Sequence, residues 1–181
     1  MTQVKDVGER LRTRVRDVRD FPKPGIVFKD LTPLFLDADC LRAATGAVAA
    51  YARSVDADFV VSAEPRGFGL GGAVAVEAGA GFILARKPGK LPSETDSVEY
   101  QLEYGVDALE VHRDALSDGA RVLVHDDLLA TGGTARALCD LFEGAGATVA
   151  GCAFVVELAF LGGRGRLAPH DVHCLISYAH E

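Results

Sequence analysis

The stretch that decides the fold is residues 122–134, which read VLVHDDLLATGGT. An apolar run typical of a buried strand leads through Asp126 and Asp127 into a loop of small residues, and a helical pattern follows. Glycine lets backbone N–H groups come close to a ligand, and the first turn of a helix offers unpaired N–H groups at its positive dipole end. Thr131 and Thr134 add hydroxyl donors. The stretch therefore predicts a strand, a phosphate-binding loop and a helix.

The two acids before the loop narrow the kind of ligand. Carboxylates that faced a phosphate would repel it, so Asp126 and Asp127 are predicted to face sugar hydroxyls or a metal ion. The competing interpretation is a tight turn with a capping threonine and two solvated aspartates. The loop is not a Walker A motif, because no Gly-Lys-Ser/Thr follows, and it does not fit G-x-G-x-x-G.

Strand and helix patterns alternate on both sides of this stretch. Together they predict an α/β protein with a mostly parallel sheet that helices cover, and ligands at the carboxyl ends of the strands. Residues 86–97 lack periodicity and are predicted to form a long mobile loop. The predicted helices are 3–19, a helix from a cap at Asp37 or Asp39 to Arg53, one ending near Ala78, and 133–144; the predicted strands are 26–31, 59–63, 81–85, 98–104, 108–112, 121–125, 147–156 and 173–177.

Composition limits the class of protein. A chain of 181 residues that is 49% hydrophobic is expected to form one domain with a full core. The net charge of −7 argues against nucleic acid as a partner. The chain lacks an apolar run long enough for a membrane span and a signal-peptide pattern at its start, so the cytoplasm is the expected location.

Cysteine and histidine spacing gives no sign of a metal site. The H-x-x-H pair His170 and His173 has no third ligand nearby in the sequence. Free buried thiols are the expected state of the four cysteines, which are Cys40, Cys139, Cys152 and Cys174.

Residues 122–134 resemble the PRPP-binding motif of type I phosphoribosyltransferases. The resemblance implies that Asp126 and Asp127 hold the ribose hydroxyls of PRPP. It also implies a central sheet flanked by helices in a single domain, a small N-terminal hood at about residues 21–36 and a flexible loop at about residues 86–107. The loop residues that would cradle the 5′-phosphate are Ala130, Thr131, Gly132, Gly133 and Thr134.

Two further stretches are similar to the adenine-specific branch of that family and imply a base site. In residues 21–30, FPKPGIVFKD, the backbone of Val27 would recognise adenine and Phe28 would stack on the ring. Lys29 stands where arginine is expected, which would alter contacts near the purine. In residues 156–163, Leu161 would pack on the other face of the base. By itself, Phe28 would more readily be interpreted as a core residue.

Three other stretches of that branch imply the groups that act on pyrophosphate and base. Arg66, in the turn at residues 65–68, would grip the pyrophosphate and assist catalysis. Glu103, in QLEYG, would manage the proton at N7 of adenine as acid or base, although a lone glutamate on a strand is commonly a surface residue. The cations of the flexible loop would close over PRPP, although alone they would suggest a solvated basic patch; they are Arg86, Lys87 and Lys90.

The bond that enters the pyrophosphate turn is predicted to be cis. Pro65 stands where the family commonly has serine or alanine, and the family often has a cis peptide there. A cis bond costs about 2.5–4 kcal/mol before ordinary residues but only about 0.5–1 kcal/mol before proline. The Glu64–Pro65 bond is the predicted cis bond.

The resemblance implies transfer of the phosphoribosyl group of PRPP to adenine, which gives AMP and pyrophosphate. Mg²⁺ would be bound mainly through PRPP and water, with no metal site made by the protein itself. The family is commonly homodimeric, so a homodimer is expected. Two alternatives stay open: a phosphoribosyltransferase for xanthine, guanine or orotate, and a regulator without enzyme activity that senses PRPP.

Overall fold

The computed structural model describes residues 2–102, 105–115 and 118–180 of the chain. Short 3₁₀ turns lie at Arg113–Ala115 and Ala159–Leu161. In chain order the helices and strands are α1 (Thr2–Arg12), β1 (Arg16–Arg19), β2 (Val27–Asp30), α2 (Thr32–Leu36), α3 (Ala38–Ser54), β3 (Phe59–Ala63), α4 (Phe68–Ala78), β4 (Gly81–Ala85), β5 (Thr95–Leu102), β6 (Gly105–His112), β7 (Arg121–Leu129), α5 (Gly133–Gly144), β8 (Thr148–Leu158), α6 (Gly163–Arg166) and β9 (Val172–Tyr178).

A five-stranded sheet in the order β4-β3-β7-β8-β9 forms the centre, and every neighbouring pair in it is parallel. This confirms the predicted α/β class. Strand β7, which carries the two acids, is the middle strand. Its carboxyl end therefore lies between the ends of β3 and β8, where loops from both sides can contribute to one site.

Apolar layers cover both faces of the sheet. On one face, helices α1, α3 and α4 bury a cluster that includes Leu11, Val48, Val74 and Leu123. On the other face, helix α5 and the antiparallel hairpin β5–β6 bury a second cluster. The hairpin is therefore part of the core rather than an appendage. Helix α3 begins where predicted, because the Asp37 side chain accepts hydrogen bonds from the backbone N–H groups of Asp39 and Cys40.

The predicted helix over residues 3–19 is wrong beyond Arg12. Residues 16–19 form β1, which pairs antiparallel with β2 and places Val18 opposite Phe28. The apolar residues at positions 15 and 18 continue the helical spacing, so the sequence pattern did not show where the helix ends. Pairing with β2 decides the outcome, because it satisfies the backbone groups that a helix would otherwise satisfy.

Two further boundaries differ from prediction. Strand β7 extends to Leu129 instead of ending at His125, so Asp126 and Asp127 belong to the strand and not to the loop. Strand β5 begins at Thr95, inside the stretch predicted to be irregular, because residues 95–102 pair with β6 along their whole length. The sequence did not reveal this pairing, since Ser, Thr and Asp at residues 95–97 are typical of loops.

One local feature of the backbone agrees with the sequence. The Glu64–Pro65 bond is cis, which confirms that prediction. All four cysteines are free thiols; Cys40, Cys139 and Cys152 are buried, whereas Cys174, which was predicted to be buried, is only partly so. Within the described ranges, no helix is long and apolar enough to cross a membrane.

Candidate active site

The loop between β7 and α5 is held by close backbone contact. Gly132 has a φ of +79°, and a Cβ on it would lie 2.8 Å from the carbonyl oxygen of Gly163. A Cβ on Gly163 would lie 2.2 Å from the carbonyl oxygen of Ala130. Both positions therefore need glycine. The turn at residues 162–163 packs directly against the backbone of the loop. Only the fold brings these two segments together.

A second interaction fixes that supporting turn. The guanidinium of Arg164 donates to both carboxylate oxygens of Glu157, at 2.9 and 2.8 Å, and to the carbonyl oxygen of Val172 at 2.6 Å. Glu157 is only 5% exposed, and the charge of Arg164 compensates its buried negative charge. Hydrogen bonds from Arg164 lower the pKa of the Glu157 carboxyl. The turn is therefore anchored one residue after Gly163.

The predicted phosphate loop encloses a small pocket of about 90 Å³ at the start of α5. Asp126 lies at one side of this pocket. Its other lining residues include all five loop residues predicted to cradle the 5′-phosphate, namely Ala130, Thr131, Gly132, Gly133 and Thr134. The five residues therefore line one pocket together, and their contact with a phosphate stays a prediction.

Asp126 and Asp127 face different pockets. Successive side chains of a strand point to opposite faces, and both residues belong to β7. Asp127 lines a pocket of about 200 Å³ that also includes Phe28, Phe35 and Arg66. The backbone N–H of Asp127 donates to Oδ1 of Asp126 at 2.8 Å, which fixes the Asp126 carboxyl. The two pockets therefore lie at the same end of β7, and each is lined by one of the two aspartates.

Burial and the neighbouring charge of Asp127 raise the pKa of the Asp126 carboxyl. The folded state therefore binds this proton more tightly than the unfolded state does. Stability from this group is present below the ordinary aspartate pKa of about 3.9 and decreases as pH rises through the folded-state value.

Asp126→Asn is expected to be more stable than the wild type at pH 8, by on the order of 1 kcal/mol. Asparagine keeps the acceptor for the Asp127 N–H and removes the charge that burial disfavours. The gain is expected to shrink as the pH falls to 5, since the wild-type carboxyl then binds its proton. Urea unfolding at both pH values measures the difference. An advantage that stayed the same at both would contradict the raised pKa.

Arg66, Asp127 and Phe28 form a connected group. Nε of Arg66 donates to Oδ2 of Asp127 at 2.8 Å, and Cζ of Arg66 lies 5.4 Å from the centroid of the Phe28 ring. Asp127 is 4% exposed, whereas the Arg66 side chain is 43% exposed. The guanidinium therefore lies between a buried carboxylate and an aromatic face, with donors left for an anionic ligand.

Two residues predicted to contact the base, Phe28 and Lys29, line the 200 Å³ pocket, but their side chains have different partners. Phe28 makes a T-shaped contact with Phe21, at 5.2 Å between ring centroids, and lines the 200 Å³ pocket. Lys29 borders the same pocket, but its ammonium donates to Oδ1 of Asp17 at 2.8 Å and lies 4.7 Å from the Tyr178 ring. Its charge is thus already compensated away from the pocket.

Val27 and Leu161 stay predictions as base contacts. Val27 begins β2, where it pairs with Arg19. Leu161 is 40% exposed in the 3₁₀ turn that precedes Gly163. Neither position conflicts with the predicted role.

Two of the three predicted loop cations, Arg86 and Lys87, pair with different carboxylates. Arg86 donates to Glu64 at 2.7 Å and to the carbonyl oxygen of Lys90 at 3.1 Å, so it ties the loop to the residue before Pro65. The ammonium of Lys87 bonds to Asp107. Their contact with PRPP remains a prediction. Glu103, the predicted acid or base, lies outside the described residues.

Sequence reasoning missed four residues that shape this region: Glu64, Tyr100, Asp107 and Gly163. The hairpin offered a signal for two of them. Tyr100 and Asp107 are cross-strand partners, because the antiparallel register of β5 and β6 places them opposite each other. Glu64 and Gly163 gave no comparable signal, because their partners are distant in the sequence.

Comparison with known sequences gives the class of protein. Residues 39–177 match the family described as the phosphoribosyl transferase domain. The chain belongs to this phosphoribosyltransferase family.

Individual relatives narrow the class to its adenine branch. An adenine phosphoribosyltransferase from Rubrobacter xylanophilus is 59% identical over 169 residues, which cover 93% of this chain and 91% of the relative. The crystal structure of adenine phosphoribosyltransferase from Thermoanaerobacter pseudethanolicus matches with a TM-score of 0.91 at 44% identity, over 94% of this chain and 99% of that one. The Saccharomyces cerevisiae adenine phosphoribosyltransferase, solved with adenine and an imino-altritol bisphosphate, matches with a TM-score of 0.89 at 34% identity, over 94% and 98% of the two chains. These relatives confirm the resemblance stated from the sequence.

Proposed function

We propose that this protein transfers the 5-phosphoribosyl group of PRPP to adenine and releases AMP and pyrophosphate, a purine salvage reaction. The observation that supports it most is the junction at the end of β7. There a phosphate-sized pocket with glycine and threonine donors adjoins a second pocket with an aromatic ring, an arginine and a carboxylate. One end of PRPP carries a single phosphate and the other a pyrophosphate, and adenine offers a flat ring.

Each group has a defined task in this proposal. The N–H groups at residues 130–134 and the hydroxyls of Thr131 and Thr134 bind the 5′-phosphate at the start of α5. The carboxylates of Asp126 and Asp127 accept hydrogen bonds from the ribose hydroxyls. Arg66, oriented by Asp127, binds the departing pyrophosphate.

The reaction replaces one bond at C1 of the ribose with another. N9 of adenine attacks from the face opposite the pyrophosphate, the C1–O bond breaks, and positive charge builds on the ribose ring in between. Groups that hold the charge on pyrophosphate stabilise this state. Val27, Phe28, Lys29 and Leu161 would border the base. Glu103 would take the proton from N7 as the bond from N9 to C1 forms, and would return it in the reverse reaction.

The donor set fits a magnesium ion that is held chiefly by the substrate. Among the described residues, no group of three or more His, Cys, Asp or Glu side chains is arranged to hold a metal. Mg²⁺ prefers oxygen ligands and commonly keeps several waters beside one or two carboxylates and substrate phosphates. Asp126 and Asp127 offer such oxygens at one strand end. Bound there with PRPP, the ion would supply charge neutralisation at the pyrophosphate.

Loop cations would complete the site. Arg86, Lys87 and Lys90 follow β4, and we propose that they approach the pyrophosphate when the loop between β4 and β5 closes. The structure shortens the loop predicted at about residues 86–107, because β5 begins at Thr95. Closure would exclude water and prevent hydrolysis of PRPP.

A pyrophosphate-release assay with PRPP and Mg²⁺ tests the proposal. Adenine, hypoxanthine, guanine, xanthine and orotate are supplied in parallel, and release is expected with adenine alone. Omission of Mg²⁺ with a chelator present is expected to abolish it. Release with another base would overturn the assignment of the base. Binding of PRPP without release of pyrophosphate in the presence of any base would favour a PRPP-sensing regulator without enzyme activity. Titration against RNA and DNA at physiological salt would then test that alternative.

We also propose a homodimer in the cytoplasm. Leu36 and Val76 are each 83% exposed and Leu84 is 41% exposed, on α2, α4 and the edge strand β4. Large exposed apolar side chains are typical of contact surfaces. Sedimentation analysis is expected to give about twice the chain mass of 19.1 kDa. A species with the mass of one chain at micromolar protein concentration would contradict the dimer. The cytoplasmic location rests on the sequence.

A further inference from the structure

The β5–β6 hairpin presents a carboxylate to a loop cation. Asp107 on β6 bonds to the ammonium of Lys87, whose side chain is 36% exposed. The hydroxyl of Tyr100, directly across on β5, donates to Oδ2 of Asp107 at 3.0 Å. The backbone N–H of Ala108 donates to Oδ1 at 2.9 Å. Asp107 therefore keeps two donors of its own when Lys87 leaves.

This group is connected to the phosphate loop. The hydroxyl of Tyr100 interacts with the side chain of Thr134, which lines the 90 Å³ pocket. Tyr100 is 9% exposed, and it packs in the same core cluster as Ala135 and Leu138 of α5. The buried side chain of Tyr100 therefore contacts both the hairpin and the start of α5, and fixes their relative position.

The backbone of Lys87 is also hydrogen-bonded. Its backbone N–H donates to Oε1 of Glu64 at 2.9 Å, and its Nζ lies 5.9 Å from the centroid of the Tyr100 ring. The hydrogen bond from Lys87 lowers the pKa of the Asp107 carboxyl, so Asp107 is charged at neutral pH. A long flexible side chain is thereby kept next to the phosphate loop before any ligand binds.

The geometry points to Asp107 as a positioning residue of the PRPP site: together with Tyr100 it holds Lys87 beside the phosphate loop, from where the ammonium transfers to a PRPP phosphate. This inference rests on the proposed function. A side chain held near its bound position loses less conformational freedom on binding, so affinity rises. A multiply charged phosphate then competes with the single carboxylate for the ammonium, while Tyr100 and the Ala108 N–H retain Asp107.

Steady-state kinetics of Asp107→Asn and Tyr100→Phe test the inference. KM for PRPP is expected to rise about three- to tenfold in each, as the loss of one pre-positioned side chain implies. kcat and KM for adenine are expected to change less than twofold. Asp96→Asn is the matched control, because Asp96 lies on the same hairpin and pairs with Arg113, just after β6, at 3.2 Å; no change is expected from it. Unchanged KM for PRPP in Asp107→Asn would overturn the inference.

A double-mutant cycle with Lys87→Ala separates positioning from general structural support. If Asp107 acts through Lys87, Asp107→Asn is expected to cost nothing further in the Lys87→Ala background. An equal cost in both backgrounds would show that Asp107 supports only the hairpin.

Binding of PRPP without adenine, measured by calorimetry on the same variants, distinguishes the two proposals. Weaker PRPP binding in Asp107→Asn, in a protein that releases no pyrophosphate with any base, would support the positioning role and overturn the proposed function. A wild type that does not bind PRPP would overturn both.

Discussion

Gly163→Ala is expected to lower kcat/KM for PRPP by about 100-fold, because it displaces the phosphate loop without touching the ligand. An added Cβ would lie 2.2 Å from the carbonyl oxygen of Ala130 and 3.0 Å from Cδ1 of Leu129. The first of these atoms is backbone and cannot rotate away. The loop or the turn must therefore shift by roughly 1 Å, and a shift of that size can cost about 100-fold in rate.

The chain offers a close control for this substitution. Gly165 lies two residues later in the same short helix, and a Cβ there would meet no atom within 4 Å. Gly165→Ala is expected to keep kcat/KM within about twofold. Overpacking in Gly163→Ala also costs about 1–3 kcal/mol of stability, so kinetics are measured well below the midpoint of thermal unfolding. Equal kinetics for the two variants would show that the turn does not set the loop position.

Asp127→Asn is expected to lower kcat/KM for PRPP by about 10- to 100-fold. The substitution removes the charge that pairs with Nε of Arg66 at 2.8 Å, and charge-assisted hydrogen bonds contribute about 1.5–3 kcal/mol each. It would also weaken the hydrogen bond to a ribose hydroxyl. Released from Asp127, Arg66 would lose its fixed position between the carboxylate and the Phe28 ring. The change therefore affects the ribose and pyrophosphate contacts together.

Separate measurement of KM and kcat shows which contact dominates. If Arg66 acts mainly on the departing pyrophosphate, kcat is expected to carry most of the loss. Asp140→Asn is the control, because Asp140 pairs with Arg136 on the exposed side of α5 and exposed pairs contribute little. A loss below threefold in Asp127→Asn would exclude a direct role for this carboxylate in binding PRPP.

The sequence alone determined the elements whose signals are local. The apolar run before Asp126 predicted the central strand, and the small residues at 130–134 predicted the loop and the start of α5. The two candidate caps, Asp37 and Asp39, predicted the start of α3 to within two residues, and Asp37 is the cap. In each case the residues that determine the structure are neighbours in the chain, so the pattern contains the relevant interactions. The family resemblance rested on the same short stretches.

Only the tertiary structure decided what depends on partners far apart in the chain. The N-terminal helix ends at Arg12 because β2 pairs with residues 16–19. Asp126 and Asp127 separate onto two pockets because β7 continues through both. Gly163 must be glycine because the loop at residue 130 lies against it. A local sequence pattern contains no information on such contacts. Residues that are far apart in the chain meet only when the whole fold has formed and brought the ends of the intervening segment together.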